Sequence, residues 1–311
     1  IMSNRKQRIG VWGSAEGAED FCARLSAMSR FEVEYVSSWT ELLPVSAARQ
    51  GMQRRLYAFP SAEEYVGLPA FFEALSAFAR YEVYVAWPSG YACPLPYNRR
   101  EEIEGVVFFR FSFARMNLVQ RGIKRVFDML CGGLGLLVLL PFLVLCAVLV
   151  KLSSRGPVFY SQERIGRGGR PFRIYKFRSM RTDAEVGVPR LSSLGDPRIT
   201  AWGNIMRRYR LDEIPQLWNA LKGDMSVVGY RPERAYFIDR IVEKAPYYPL
   251  LYSVKPGITS LGITTFGYAE NVPQMIVRLS CDMAYMERLS LKEDVRILGR
   301  TCRVIVYGVG K

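Results

Sequence analysis

The 311-residue chain contains no histidine at all. That absence removes imidazole general bases, His-ligated zinc and Ser–His nucleophiles. Any catalysis therefore has to rest on carboxylates, Lys, Arg or Cys. Cysteines are few: Cys22, Cys93, Cys131, Cys146, Cys281 and Cys302 lie scattered, with no CxxC pair and no framework spacing. They read as buried thiols in a reducing compartment. Acidic residues are in deficit, 29 against 43 Lys and Arg, for a formal charge of +14. Such an excess suits a phosphate-bearing partner, whether nucleic acid, anionic lipid or phosphorylated substrate; a solvated basic surface is the plain alternative. No apolar run follows the opening Ile-Met-Ser-Asn-Arg-Lys, so no signal peptide is read there, and an upstream part is expected to be missing.

What is present divides into three parts: 1–117, 118–152 and 153–311. In the first, residues 8–12, 31–36, 55–59, 81–86 and 106–109 are short apolar runs that read as buried strands. Helical patterns fall at residues 16–28, 39–50 and 61–78. This alternation predicts a parallel, Rossmann-like α/β sheet. Gly10, Gly13 and Gly17 mark the first strand-to-helix turn. They admit a pyrophosphate cradle, but the spacing is not GxGxxG, and a structural turn is the better reading.

The second part holds an uncharged stretch from Met129 to Val150, long enough to cross a bilayer, for which roughly 20 apolar helical residues suffice. Lys124 and Arg125 precede it; Lys151 and Arg155 follow it. The positive-inside tendency places both ends on the cytoplasmic face. Pro141, near the middle, removes a helix hydrogen bond and bends the axis. A re-entrant hairpin meets both constraints better than a straight crossing or a buried core helix.

The third part is basic and rich in Gly and Pro, with few long helical patterns. Amphipathic segments at 237–244 and 277–287 suit a membrane surface or packing onto their own domain equally well. Three of its segments carry chemistry. Residues 153–170 and Lys176, Arg178 and their neighbours disperse cations among glycines, suiting phosphate groups at a lipid surface or a solvated basic loop. Asp212 and Glu213, after Arg207, Arg208 and Arg210, suit a nucleophilic carboxylate beside a metal-holding one, or simple helix capping. Arg231, on a turn bounded by Gly229 and Pro232, suits a phosphate grip or backbone bonding.

The order of these segments is more informative than any one of them. A basic-flanked apolar run with Pro is followed by GPVFYSQERIG, KFRSM, DPRIT, LDEIPQLWNALKGDMSVVG, RPE and VKPGIT. From about Lys124 onward this resembles the bacterial sugar transferase family, the monotopic polyprenyl-phosphate phosphoglycosyl transferases; the first part looks like the cytosolic domain of the larger members. The resemblance implies an α+β catalytic domain behind a re-entrant membrane helix at the cytoplasmic face of the bacterial inner membrane. It implies transfer of a sugar-1-phosphate, as hexose-1-phosphate, from a UDP-sugar to undecaprenyl or another polyprenyl phosphate, with release of UMP, in exopolysaccharide, capsule or O-antigen synthesis. Asp212 is then the nucleophile that forms an aspartyl phosphosugar, and Glu213 the Mg2+ ligand. Arg231, Lys176, Arg178 and Arg207 bind substrate phosphate, Pro141 is the membrane kink, and Asp282 matches a further acid of the pattern. Partners expected on this basis are the lipid bilayer and the two substrates, with no nucleic acid; a homo-oligomer stays open. An ordinary glycosyltransferase releasing UDP and a non-catalytic membrane-surface scaffold are the competing readings. Two departures stand out: Tyr230 replaces the usual Pro before Arg231, and residues 260–268 replace the common continuation after Thr259, where sugar recognition would be sought.

Overall fold

The computed structural model describes residues 7–13, 17–28, 31–36, 54–61, 68–77, 81–86, 100–112, 116–184, 187–193 and 195–308. The expected helix at 39–50 and Cys93 lie outside the described residues. Contacts divide the chain into two compact units, Ile1–Arg115 with Val242–Ser253, and Met116–Ile241 with Val254–Lys311. Val242–Ser253, read in the sequence as part of the second half, thus clusters with the first.

The first unit is built on strands β1 (Gln7–Gly13), β2 (Phe31–Val36), β3 (Arg54–Phe59), β4 (Tyr81–Val85), β5 (Arg100–Ile103) and β6 (Val106–Ser112). Their order is β2-β1-β3-β4-β6-β5. The first four are parallel, as expected, whereas β6 runs antiparallel to both β4 and β5. The sheet is therefore mixed. β5 was not anticipated because its sequence, Arg-Glu-Glu-Ile, carries no apolar alternation; the Glu104-Gly105 turn, both residues at positive φ, folds it back on β6.

Helix α1 (Ala18–Ser26) buries Ala18, Phe21 and Leu25 against the sheet. Phe21 meets Tyr57, Phe59 and Phe108 at ring-centroid distances of 5.1, 5.2 and 5.1 Å. Helix α2 (Leu68–Ala77) places Phe71 4.7 Å from Trp12 and Phe72 5.2 Å from Phe111. Each such fully buried aromatic contributes on the order of 1.5–3 kcal/mol. Gly13 answers the question of the glycine turn: a Cβ there would lie 2.0 Å from the Phe59 carbonyl oxygen, and its φ is +143°. Close approach of β3 requires that glycine, without any ligand.

In the second unit, α3 (Leu118–Val138) opens on a reciprocal cap between Asn117 and Gln120. It continues after a break into α4 (Leu140–Ser153), and the pair is bent by 65°. Among the described residues no single helix is long and apolar enough to cross a membrane, but this bent pair passes the same test together. Pro141 lies in the first turn of α4, just past the break. Leu130, Leu134, Leu137, Val138, Leu140, Val144, Leu145 and Val148 all stand exposed. Such a continuous apolar surface is unusual for a chain surrounded by water alone. Of the described cysteines only Cys146 is buried, and Cys302 is exposed, so the sequence expectation of buried thiols holds at one position.

After the bent helix pair, β7 (Phe159–Ile165) and β8 (Pro171–Phe177) pair antiparallel across the Gly166–Arg170 turn. The glycine-rich basic stretch is thus largely a β-hairpin. Helices α5 (Ala201–Arg208) and α6 (Leu217–Lys222) flank a 3-10 turn at Leu211–Gln216. Strands β9 (Ser226–Val228) and β10 (Gly257–Thr259) form a short parallel pair. Helices α7 (Ala235–Val242), α8 (Leu261–Thr265), α9 (Val272–Glu287) and α10 (Leu291–Tyr307) complete the unit. Two of these are long helices that the Gly- and Pro-rich composition did not announce. The two amphipathic segments pack on protein: α7 buries Phe237, Ile238 and Ile241, and α9 buries Met275, Leu279, Met283 and Met286.

The bent helix pair is bolted to the rest of its unit through α3. Asp128 accepts from Ser226 Oγ at 2.9 Å and the Val227 amide at 2.8 Å. Arg125 donates to the carbonyls of Ala220 and Leu221 at 2.7 and 2.8 Å, capping the end of α6. Lys124 donates to the Val228 carbonyl at 2.9 Å and pairs with Asp294. Lys124 and Arg125, the basic pair that precedes the apolar run, are engaged in this docking.

Candidate active site

Asp212 and Glu213 sit on the 3-10 turn Leu211–Gln216, and both are buried. Arg210, just before the turn, adopts φ +56°, a left-handed conformation costing a non-glycine residue roughly 1–2 kcal/mol. That geometry brings its guanidinium onto Glu213 Oε2 and, at 3.2 Å, onto the Ile258 carbonyl. Strand β8 supplies Lys176, whose Nζ donates to Glu213 Oε1 at 2.7 Å. Its register is fixed by fully buried Asn219 of α6, which accepts from the Tyr175 amide at 3.2 Å and donates to the Arg173 carbonyl at 2.7 Å. The turn after β9 supplies Arg231, with both terminal nitrogens 3.3 Å from Glu213 Oε1.

The Arg231 turn is held on both sides. The Tyr230 carbonyl accepts from the Gly257 amide at 2.8 Å, and Asp282 accepts the Arg231 amide at 3.2 Å and the Gly262 amide at 2.8 Å. Tyr230, standing where the family motif has Pro, is fully buried, and Arg231 still reaches Glu213. Asp282 therefore acts here on the backbone of Arg231, away from the carboxylate pair.

The neighbouring carboxylates have opposite electrostatic settings. Burial alone would raise Glu213, but Arg210, Lys176 and Arg231 together hold it well below the usual glutamate range. Burial pushes Asp212 above the usual aspartate range, with Lys176 opposing and Glu213 adding to the shift. Asp212 Oδ1 is buried and has no hydrogen-bond partner. A buried anion without a donor is costly, and such an orphan calls for an explanation beyond packing. Burial lowers Lys176 against the opposing pull of Glu213.

A cavity of about 440 Å3 opens over these groups, lined among others by Lys176, Arg178, Arg207, Asp212, Arg231 and Tyr268. Arg207 is held by the hydroxyls of Ser179 and Ser192 at 3.0 and 2.9 Å, and its charge bears on Asp212. Arg178 is placed differently. It donates to the carbonyls of Ser154 at 2.6 Å and Arg155 at 3.0 Å, closing the end of α4. Gly156, at φ +126°, makes room for it, since a Cβ there would lie 2.1 Å from Arg178 Nη1. Asp212, Lys176, Arg178, Arg207 and Arg231 thus meet at one cavity, with Glu213 paired to Lys176 and Arg231 outside its lining, and Arg178 also ties the end of α4 to the cavity wall.

Several site residues escaped sequence reasoning. Glu233 accepts from Arg164 at 3.2 Å and pairs with Arg278, and all three line the cavity. Arg210 was read only as one of a basic run; its position three residues before Glu213, on a turn, was the available signal. Tyr268 lies under the guanidiniums of Arg231 and Arg210, 5.2 and 5.8 Å from its ring centroid.

The sequence profile of the bacterial sugar transferase family matches residues 119–308. The chain belongs to that family. One relative, named UDP-N-acetylgalactosamine-undecaprenyl-phosphate N-acetylgalactosaminephosphotransferase, from Aeromonas hydrophila, is 40% identical over 60% of this chain and 44% of its own length. Another, named a putative undecaprenyl-phosphate N-acetylgalactosaminyl 1-phosphate transferase, from Bacillus subtilis, is 46% identical over 44% of this chain and 76% of its own length. A third, named UDP-glucose:undecaprenyl-phosphate glucose-1-phosphate transferase, from Escherichia coli, is 35% identical over 68% of this chain and 46% of its own length. The chain spans less than half the length of the first and third of these relatives. The family match begins within the first turn of α3 and takes in the bent helix pair as well as the cavity, so the two belong to one family unit.

Proposed function

We propose that this protein transfers a sugar-1-phosphate from a UDP-sugar to undecaprenyl phosphate through a covalent intermediate on Asp212. The observation that carries the reading is the unpartnered, buried Asp212 Oδ1 in a cavity that also presents Lys176, Arg207 and Arg231. An oxygen of Asp212 attacks the sugar-bearing phosphorus, and the bond from that phosphorus to the bridging oxygen breaks, releasing UMP. The resulting acyl phosphate is attacked by an oxygen of undecaprenyl phosphate. The aspartyl oxygen–phosphorus bond breaks, the carboxylate is restored, and undecaprenyl diphosphate sugar is formed. No histidine base is needed, because both nucleophiles are already anionic.

Lys176, Arg207 and Arg231 offset the negative charge that gathers on the transferring group, a role in which preorganised cations are most effective in a low-dielectric site. Glu213 is held ionised and fixes Lys176 and Arg231 in place. Its carboxylate and the free Asp212 oxygen are hard oxygen donors, and Mg2+ commonly binds through one or two carboxylates together with substrate phosphates. Both Glu213 oxygens are engaged by Lys176, Arg231 and Arg210, so Glu213 would hold Mg2+, which would neutralise diphosphate charge, only with one of these cations displaced toward the substrate. The same reading makes the bent helix pair a re-entrant, monotopic element on the cytoplasmic face of the inner membrane, and the first unit a Rossmann-like cytosolic domain. A long-chain lipid presents its phosphate at the headgroup plane, so a site anchored there gains effective concentration.

The test is product identity. Membrane-embedded protein is incubated with undecaprenyl phosphate, Mg2+ and a donor panel that includes UDP-glucose and UDP-N-acetylgalactosamine, the sugars in the relatives' names. UMP release, with labelled sugar phosphate trapped on the protein and lost in Asp212→Asn, is the expected result. UDP in place of UMP would identify an ordinary glycosyltransferase, and no nucleotide product from any donor would leave the scaffold reading.

A further inference from the structure

Of Lys176 and Arg231, the two cavity cations that share Glu213 Oε1, Arg231 is the less tightly held by that ion pair. Lys176 sits 2.7 Å from Glu213 Oε1, a normal charge-assisted distance, whereas both Arg231 nitrogens stand at 3.3 Å from the same oxygen. The Arg231 backbone is anchored by Asp282, but that bond does not fix the plane of the guanidinium. The second contact on that plane is the face of Tyr268, with the Arg231 carbon 5.2 Å from the ring centroid. Arg210 approaches the same ring at 5.8 Å. Both distances are within reach of a cation–π attraction, which strengthens where water is excluded. Tyr268 is also part of the cavity wall, and it lies in the stretch 260–268 that departs from the family pattern.

We propose that Tyr268 is a positioning residue that sets the Arg231 guanidinium for the donor diphosphate through the face of its ring. This rests on the assignment of the cavity to sugar-1-phosphate transfer. The aromatic face is the operative part, so Phe should serve in its place where an aliphatic side chain should not.

The experiment uses the full chain in membrane vesicles with two readouts: UDP binding by calorimetry, and UMP release from the preferred donor. Tyr268→Leu is expected to weaken UDP binding and lower kcat/KM by about tenfold each, the scale of one desolvated cation–π contact. Tyr268→Phe should recover most of both losses. In a double-mutant cycle the Leu change should have little further effect once Arg231→Gln is present, because both act on one interaction. Tyr268→Met, which also lacks the ring, replaces Leu if the latter lowers the melting temperature. UDP binding unchanged in Tyr268→Leu, a Phe variant as weak as Leu, or losses that add to those of Arg231→Gln would each overturn the proposal. Wild-type protein that binds UDP with the expected Tyr268 dependence, yet releases no UMP, would sink the reaction assignment and leave the positioning role standing. Absence of UDP binding by wild type would overturn both.

Discussion

Asp212 and Glu213 share a peptide bond and a buried setting, yet substitution at the two positions should move stability in opposite directions. Glu213 is the common partner of Lys176, Arg210 and Arg231. Glu213→Gln leaves those cations facing one another without a counter-charge, and loss of about 3–5 kcal/mol is expected from breaking such a buried pairing. Asp212 lacks a partner at Oδ1, so Asp212→Asn removes a buried charge and should raise the melting temperature while abolishing turnover. Thermal denaturation of the two variants beside wild type checks both signs.

The pH dependence follows from the same asymmetry. Burial raises Asp212, so the folded chain binds that proton more tightly than the unfolded one, and this group's contribution to stability falls as pH rises above the ordinary aspartate range. Activity, which needs the carboxylate, should rise through that same window, with its acidic limb displaced upward. Glu213 is depressed. Its stabilising contribution is present above the ordinary glutamate value and is lost as pH falls through the lower, folded one.

Among the elements, the contact of α3 with α6 carries the connection from the bent helix pair to the cavity. At Gly132 a Cβ would lie 2.8 Å from the Leu217 carbonyl oxygen and 2.9 Å from the Leu221 amide nitrogen, both of them backbone atoms with little room to yield. Helix α6 in turn carries Asn219, which holds the β8 backbone beside Lys176. Gly132→Leu should therefore separate the two helices, cost on the order of 1–3 kcal/mol as an overpacked contact, and lower turnover although residue 132 lines no part of the cavity. Unchanged melting and unchanged turnover in detergent-solubilised variant would show that the two helices are not coupled in this way. The adjacent bend has a local cause: Pro141 has no amide to offer the carbonyl of Leu137, and the chain breaks between Val138 and Leu140.

For the molecule as a whole, Val242–Ser253 belongs with the first unit. Tyr247, Tyr248, Leu250 and Leu251 are buried, and Tyr247 lies 5.5 Å from Phe111 of β6. A chain beginning at Met116 would uncover this strap. It is expected to bind a hydrophobic dye and self-associate in gel filtration, and a version with Tyr247 and Leu250 replaced by Ser should do so much less. Equal dye binding by the truncated and the full-length chain would show that the strap finds another cover.

The linear sequence by itself determined the chemistry available and the local elements. Lack of histidine confined catalysis to carboxylates and cations; the period of apolar runs placed β1–β4 and β6; the motif order from Lys124 onward identified the family and pointed to Asp212, Glu213 and Arg231. These are properties of residue type and short spacing, which a one-dimensional pattern retains. Tertiary structure alone decided which cation meets which anion. Arg178 and Lys176 are two residues apart on one motif and would share a face of a continuous strand, but β8 ends at Phe177, and past that end Arg178 closes α4 while Lys176 meets Glu213. Tyr268, Glu233 and Arg278 gain their roles from chain crossings dozens of residues apart, and the strap at Val242–Ser253 from packing against distant strands. Charge pairing and burial depend on distance in space, and a sequence specifies that distance only after the chain has folded.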